Sequence, residues 1–323
     1  MKACGLDIGY GYTKAVVTGK RVIFPSLAGS PDRAAFALSE SDSTIVTLGN
    51  QTFMVGMEAV ERSQFSYRFE NRQWYTTPAY MAFAVAAWAR LGLSGDVKLV
   101  TGLPLSYYED KKALQARFEG VHRVQSDNYD VEVCIEGVRV VPQPFGAIFL
   151  KAFLPTGEFA DPNFLSKKIG VIDVGSNHTN ILTALNASDI PGQSTAIDMA
   201  VWDLVRAIKN HLRTLAPEAE LRDHIVAEAL KEGTFSYFGK NFDLKPIIEK
   251  PRQRLVEQIC STTTQMWGAG ADLYAIVISG GGASLVGDDV AAFFSRHQRV
   301  IVIKDQYTNA NGFYRFAKFL CKG

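Results

Sequence analysis

The feature that most constrains this chain is an eight-residue pattern that occurs twice. Asp7-Ile8-Gly9-Tyr10-Gly11-Tyr12-Thr13-Lys14 is matched by Asp173-Val174-Gly175-Ser176-Asn177-His178-Thr179-Asn180, about half a chain further on. Each copy follows an apolar, β-rich run (Lys2–Ile8 and Lys168–Val174) and precedes another (Thr13–Thr18 and Thr179–Leu185). A repeat at this spacing indicates one building block used twice. In each copy Asp-x-Gly puts a carboxylate at a strand tip, followed by a tight turn where glycine lets a ligand approach the backbone. Successive backbone N–H groups in such a turn form an anion-binding concavity. Two such hairpins suit a polyphosphate. The carboxylates then need a hard, oxygen-seeking cation beside the phosphates, for which magnesium is expected. Lys14 adds a point charge for a phosphate oxygen. A single copy would say little, because turns between strands often use these residues.

A third glycine segment closes the strand Ala275–Ser279: Gly280-Gly281-Gly282-Ala283. Bare backbone there admits a flat ring or a ribose, although a tight strand-to-helix turn uses the same residues. The run is not G-x-G-x-x-G, and G-x-x-x-x-G-K-[ST] occurs nowhere, so dinucleotide-binding and P-loop readings lose support.

The remaining pattern alternates strands and helices, which predicts an α/β protein with mixed sheets. Further strands are expected at Arg21–Phe24, Thr44–Leu48, Thr52–Val55, Val97–Gly102 and Val300–Lys304, with a hairpin of Val131–Ile135 and Val138–Val141. Thr77–Leu91 reads as a helix with Thr77 as N-cap, Pro78 in its first turn and Gly92 ending it. Helices are also expected at Tyr107–Phe118, Phe145–Phe153, Asp198–Leu215 (N-capped by Asp198), Asp223–Lys231, Leu244–Trp267 and Ala310–Leu320.

Taken in order, these segments resemble the actin, sugar-kinase and heat-shock-chaperone ATPase superfamily. Its pattern is two phosphate loops, an adenosine loop and two connectors, and every part has a counterpart. The phosphate loops resemble Asp7–Lys14 and Asp173–Asn180, and the adenosine loop resembles Gly280–Gly282. The connectors resemble Gln143-Pro144-Phe145-Gly146-Ala147 and Asn309-Ala310-Asn311-Gly312. Within the superfamily the chain is most similar to plasmid-segregation actins of the ParM/StbA type and their archaeal actin-like relatives. Asp7–Lys14, Val100-Thr101-Gly102-Leu103-Pro104 and Asn309–Phe313 carry that likeness. The resemblance implies duplicated actin-like (ribonuclease H-like) domains with mixed five-stranded sheets flanked by helices, and a nucleotide cleft between them. Domain I would span 1–150 with a small insertion at about 30–75. Domain II would span 151–323 with an insertion at about 203–268, its C-terminal helix packing back on domain I. Two departures stand out. Asn177 replaces a glycine common in the family, and Asn tolerates a left-handed turn. Tyr10 is bulky where Ser is common, and is expected to point away from the phosphates.

The resemblance also implies roles. Asp7 and Asp173 would hold magnesium through waters, and Lys14 would contact the phosphates of ATP or ADP. Gly9, Gly11, Tyr12 and Thr13 would line the first loop. Gly175, Ser176, Asn177, His178, Thr179 and Asn180 would line the second, with Gly280, Gly281, Gly282 and Asn311 completing the nucleotide contacts. Gln143 sits where the family orients the attacking water. A neutral amide is a poor base but can position water, which suffices for a dissociative phosphoryl transfer. Lys231 and Glu232 match a pair that borders adenine and ribose, although a helix C-terminal Lys also compensates the dipole. His178 could reach a phosphate but reads first as a solvated turn residue. Phe65, Tyr67, Phe69, Trp74 and Tyr75, interspersed with Arg62, Arg68 and Arg72, read as subdomain packing, with a stacking surface or filament contact as alternatives.

Three functions share such an ATPase core. A dynamic filament protein for DNA or plasmid segregation fits the segregation-actin likeness best. A small-molecule kinase needs a carboxylate base, and none stands beside Gln143. A chaperone needs a peptide domain after the second connector, where little chain follows. A non-polymerising nucleotide switch remains a further alternative. The formal net charge of +1 gives no global case for binding nucleic acid or anionic lipid directly. DNA cargo would then be reached through a DNA-binding adaptor, and the main partner would be a second copy, joined head to tail. The four cysteines form no CxxC pair and read as free thiols in a reducing cytoplasm. The N-terminus lacks the apolar core of a signal peptide, and Ala79–Leu91 is too short to span a bilayer, so a cytoplasmic location is expected.

Overall fold

Three apolar runs set the first sheet: β1 (Lys2–Ile8), β2 (Tyr12–Val17) and β3 (Lys20–Pro25). The computed structural model describes residues 1–31, 44–57, 59, 66–67, 72–126, 129–219 and 221–322. The chain divides into two units, Met1–Leu165 with Tyr307–Gly323, and Ser166–Gln306.

In the first unit β1–β3 form an antiparallel meander. The unit adds β4 (Thr44–Leu48), β5 (Gln51–Val55), β6 (Gly95–Leu103), β7 (Gly120–Ser126) and β8 (Tyr129–Pro142). Among the described residues the strand order is β3-β2-β1-β6-β8-β7-β4-β5, continued by Ala28–Gly29 and Ser66–Tyr67. β1, β6 and β8 run parallel, and parallel strands need cover on both faces. Helix α1 (Pro78–Leu91) supplies part of that cover and is itself buried nearly all round. Thr77 caps α1 by accepting the Tyr80 N–H at 3.3 Å, and Gly92 ends it in the left-handed conformation, φ 65°. Trp74 and Tyr75 are buried in the same core, as packing requires, whereas Arg62, Phe65, Arg68 and Phe69 lie outside the described residues. Arg72 is a surface residue that bonds Asp110 and Glu109.

Two local expectations fail for identifiable reasons. The pair Val131–Ile135 and Val138–Val141 is one strand, β8, and Glu136-Gly137 is a bulge within it. β8 is held along both edges, parallel to β6 and antiparallel to β7, so the apparent turn signal yields to pairing. The helix expected at Tyr107–Phe118 is a 3-10 turn, Leu105–Asp110, followed by α2 (Lys111–Phe118).

The second unit repeats the meander with β9 (Ile169–Val174) and β10 (Thr179–Leu185), joined by β11 (Thr195–Ile197). A separate hairpin of β12 (Thr234–Tyr237) and β13 (Lys240–Asp243) was not foreseen from the sequence. β14 (Ala275–Ser279) and β15 (Val300–Val302) extend β9 in parallel. The order is Ser188–Asp189, β10, β9, β14, β15.

Helices α3 (Phe145–Ala152), α4 (Val201–Leu215), α5 (Asp223–Glu232), α6 (Lys245–Trp267), α7 (Ala283–Phe293) and α8 (Thr308–Leu320) complete the chain. Asp198 is not the N-cap of α4. Asp203 accepts the Ala200 N–H at 2.9 Å, and the helix starts at Val201. α8 packs on β1 and α3. A Cβ at Gly5 would lie 2.9 Å from Tyr314 Cα, and one at Gly146 would lie 2.5 Å from Asn309 Cα. Phe153 and Phe159 stack on each other and both pack at a tilt against Phe319, which fixes the loop after α3 to α8.

Candidate functional site

Both repeats fold as the same hairpin, in the same register. Asp7 faces Lys14 and Ile8 faces Thr13 across β1 and β2. Asp173 faces Asn180 and Val174 faces Thr179 across β9 and β10. The four-residue turns close with the same bond: Gly9 N–H donates to Tyr12 O, and Gly175 N–H donates to His178 O, each at 3.0 Å.

In the first loop Asp7 is 3% exposed and serves as an electrostatic hub. Lys14 Nζ donates to its Oδ2 at 3.0 Å, and Gln143 Nε2 donates to its Oδ1 at 3.0 Å. A carboxylate only accepts, so this contact turns the Gln143 amide nitrogen toward Asp7 and leaves Oε1 to accept from another group. Gln143 reaches Asp7 because β8 runs beside β6 and β6 beside β1, with the connector at the end of β8. Gly102 leaves it room, since a Cβ there would lie 2.9 Å from Gln143 Cγ. Tyr10 is buried and stacks on Trp74 at 4.9 Å, within the core.

Sequence reasoning missed two contributors. Ser26 Oγ donates to Gly9 O at 2.6 Å, meets Thr13 Oγ1 at 2.9 Å, and its N–H donates to Gly11 O at 3.0 Å. Ser26 thus clasps Gly9, Gly11 and Thr13, and the signal was its place just after β3, which pairs Pro25 with Tyr12. Tyr80 is fully buried on α1. Burial first, then the negative charge of Asp7, pushes its phenol above the ordinary value.

In the second loop Asp173 is 4% exposed and faces Ser279 on β14. Gly280 has φ 92°, and a Cβ there would lie 2.5 Å from Asp173 Oδ1. Gly282 donates its N–H to Val174 O at 2.9 Å, and a Cβ on it would lie 2.9 Å from Val201 Cγ2. Gly281 is exposed bare backbone with open space on its Cβ side. The structure therefore brings Gly280–Gly282 against the second loop. Ser176 O accepts the Trp202 N–H at 2.9 Å, tying the loop to the start of α4, and Thr179 Oγ1 donates to Met199 O at 2.8 Å.

Two expectations are corrected. Asn177 is not left-handed: among the described non-glycine residues only Asn186, Ala187 and Phe238 have positive φ, so the turn closes without that conformation. His178 is not a solvated turn residue. Its side chain is 14% exposed, with Nε2 3.4 Å from Oδ1 of Asp198, which is 93% exposed. Burial lowers the imidazole pKa below its ordinary 6.5, and Asp198 opposes that only in part. Lys231 and Glu232 end α5 as exposed residues, and Lys231 Nζ bonds Glu228 at 2.8 Å on the same helix. That contact is of the helix-surface kind.

Asn311 lies half-buried in α8, its N–H donated to Tyr307 O at 2.7 Å. Its neighbour Gly312 packs so close to Gly146 that a Cβ would collide with the Gly146 carbonyl. The two connector segments therefore meet at the crossing of α3 and α8. Cys4 and Cys260 are buried free thiols, pushed up to about 12 and about 11 by burial, hence unreactive. Cys134 Sγ gathers with the carboxylates of Asp96 and Glu136 within 4.8 Å, at the strand ends opposite Asp7.

Each loop by itself offers a carboxylate buried at a strand tip, a hard oxygen donor of the kind that magnesium takes. Among the described residues no helix is long and apolar enough to cross a membrane.

Comparison with known proteins agrees with this geometry. A model described as the N-terminal domain of actin-like proteins matches residues 5–146, and one described as the C-terminal part of an archaeal MreB-like actin homologue matches residues 171–292. The solved archaeal actin homologue Ta0583 superposes with a TM-score of 0.82 at 20% identity, covering 99% of this chain and 100% of that one. Ta0583 has also been solved in complex with ADP. A ParM from a 15-stranded filament of Clostridium botulinum superposes with a TM-score of 0.79 at 21% identity, covering 98% and 99%. The apo ParM of psk41 gives 0.75 at 18% identity, covering 99% and 98%. At these identities the solved structures establish a likeness of fold. No curated protein sequence matches the chain.

Proposed function

The chain belongs to the actin-like proteins, and from that membership we propose that it binds ATP with magnesium, hydrolyses it slowly and assembles into dynamic filaments. The observation that carries the nucleotide part is the pair of Asp-Gly hairpins in identical register, one with Lys14 and Gln143 on its carboxylate. The ADP complex of the archaeal homologue supports the same reading. The filament part is supported by relatives solved as filaments.

Asp7 and Asp173 would hold magnesium. Both oxygens of Asp7 already accept a hydrogen bond, which favours contact through water. The bound metal would neutralise phosphate charge during transfer. Lys14 pairs with Asp7 and offers its remaining donors to a phosphate oxygen. Gln143 spends its N–H on Asp7 and accepts a hydrogen from the attacking water through Oε1, which orients that water without deprotonating it. Positioning without a strong base gives slow turnover, suited to timing a polymer. Gly280–Gly282 would receive the nucleoside against bare backbone. Subunits would join head to tail in a contact that does not close. Plasmid or other DNA cargo would be reached through a DNA-binding adaptor, in keeping with a net charge of +1.

Right-angle light scattering with magnesium and ATP, a non-hydrolysable analogue or ADP, with negative-stain microscopy, tests this reading. Filaments that form with ATP and decay as it is consumed are expected. ATP binding without assembly over a wide range of concentration and salt would overturn the filament part and redirect attention to a kinase or a switch.

A further inference from the structure

The β12–β13 hairpin turns on two residues, Phe238 and Gly239, with φ of 48° and 70°. Positive φ at both positions is the type I′ turn, which favours Asn, Asp or Gly at its first place. A bulky aromatic residue is strained there, because its Cβ crowds the following carbonyl. Burial does not compensate. Phe238 is 80% exposed, more than any other large apolar side chain among the described residues. Its described ring contact is with Tyr237, centroids 4.5 Å apart.

The rest of the hairpin is built differently. Phe235 is buried, Tyr237 and Phe242 are packed against the second unit's core, and Leu244 beyond them is fully buried. Ser236 and Asn241 bond each other on the opposite face. The hairpin is thus fixed by one face and carries its unburied aromatic residue at the tip. Neither the turn nor the core calls for phenylalanine at 238.

We propose that Phe238 is an anchor for self-association, inserting into a different surface of a second copy of this chain. Aromatic side chains with few rotors are the usual anchors of protein interfaces. A protruding tip meeting a different surface is a head-to-tail contact, which propagates rather than closes. A second copy is the occupant because relatives of the same fold have been solved as filaments. The inference rests on the filament reading above and names one residue on which it depends.

Phe238→Asn tests it, because asparagine suits the I′ turn while removing the ring. Sedimentation with magnesium and ATP should show a critical concentration raised at least about tenfold, the size expected for a hot spot. The thermal midpoint should be equal to or above wild type, and ATP affinity unchanged. Phe238→Tyr should assemble close to wild type. Assembly of Phe238→Asn at the wild-type critical concentration would overturn the inference alone and leave the ring to another partner. A loss of stability or ATP affinity in step with assembly would overturn it too, by making Phe238 a folding residue. A wild-type protein that binds ATP and never sediments would overturn the filament reading, and the anchor with it.

Discussion

At the scale of single residues, Asp7 holds the first loop together and Gln143 and Ser26 tune it. In Asp7→Asn one carboxamide position becomes a donor, so either Lys14 or Gln143 loses its acceptor. Magnesium-dependent nucleotide affinity should fall about 10–100-fold. Titration of a fluorescent ATP analogue with and without magnesium reads this, and an unchanged magnesium dependence would remove Asp7 from the metal site. Gln143→Ala should leave binding nearly intact and slow phosphate release on the order of 100-fold, as loss of one positioned polar group does elsewhere. Equal rates in single-turnover hydrolysis would refute the water-orienting role. His178 gives a pH signature. Its folded pKa lies below the ordinary 6.5, so the unfolded chain binds more protons near that pH. Stability is therefore fully present above 6.5 and falls as pH drops through it toward the folded value, by at most about 1.4 kcal/mol per pH unit. His178→Gln should flatten that part of a melting-temperature profile. The two Asp-x-Gly hairpins were legible because the repeat itself reveals them, whereas Gln143 and Asn311 were named from the family resemblance. Ser26 and Tyr80 were not legible, because one reaches the loop through strand pairing and the other through a buried helix face.

At the scale of elements, long periodic or strongly capped segments were readable. α1 has a threonine, a proline and a glycine at its ends, and β1, β9 and β14 are mainly apolar runs, buried almost throughout. What failed was decided by neighbours. β8 bridges its own turn signal because β6 and β7 hold it, and α4 starts late because Asp203, not Asp198, takes the free N–H. The β12–β13 hairpin lacked the Asn-Gly signal at its turn. The crossing of α3 and α8 makes a firm prediction, because glycine there meets backbone rather than a flexible side chain. Gly312→Ala should destabilise the first unit by about 3 kcal/mol or prevent its folding. Urea unfolding of the soluble variant reads the first outcome, and an unchanged midpoint would show that the helices can separate at little cost.

At the scale of the whole molecule, a ligand that binds only the folded chain must stabilise it. Magnesium ATP at about 100 times its dissociation constant should add about 2.7 kcal/mol, visible as a raised thermal midpoint. Chelating the metal should remove most of that gain, and a midpoint indifferent to chelation would argue against a metal-dependent nucleotide complex. The path of the chain adds a constraint of another kind. Residues of the second unit, 166–306, are spelled out between two parts of the first, and α8 fills grooves at Gly5 and Gly146 laid down long before it. During synthesis the second unit has all its strands as soon as it emerges. The first must wait, with the floor of its earliest strand bare, until the ribosome delivers the last helix. Birth order and folding order are therefore not the same, and a nascent chain halted after residue 306 would expose the face of β1 that the finished protein hides.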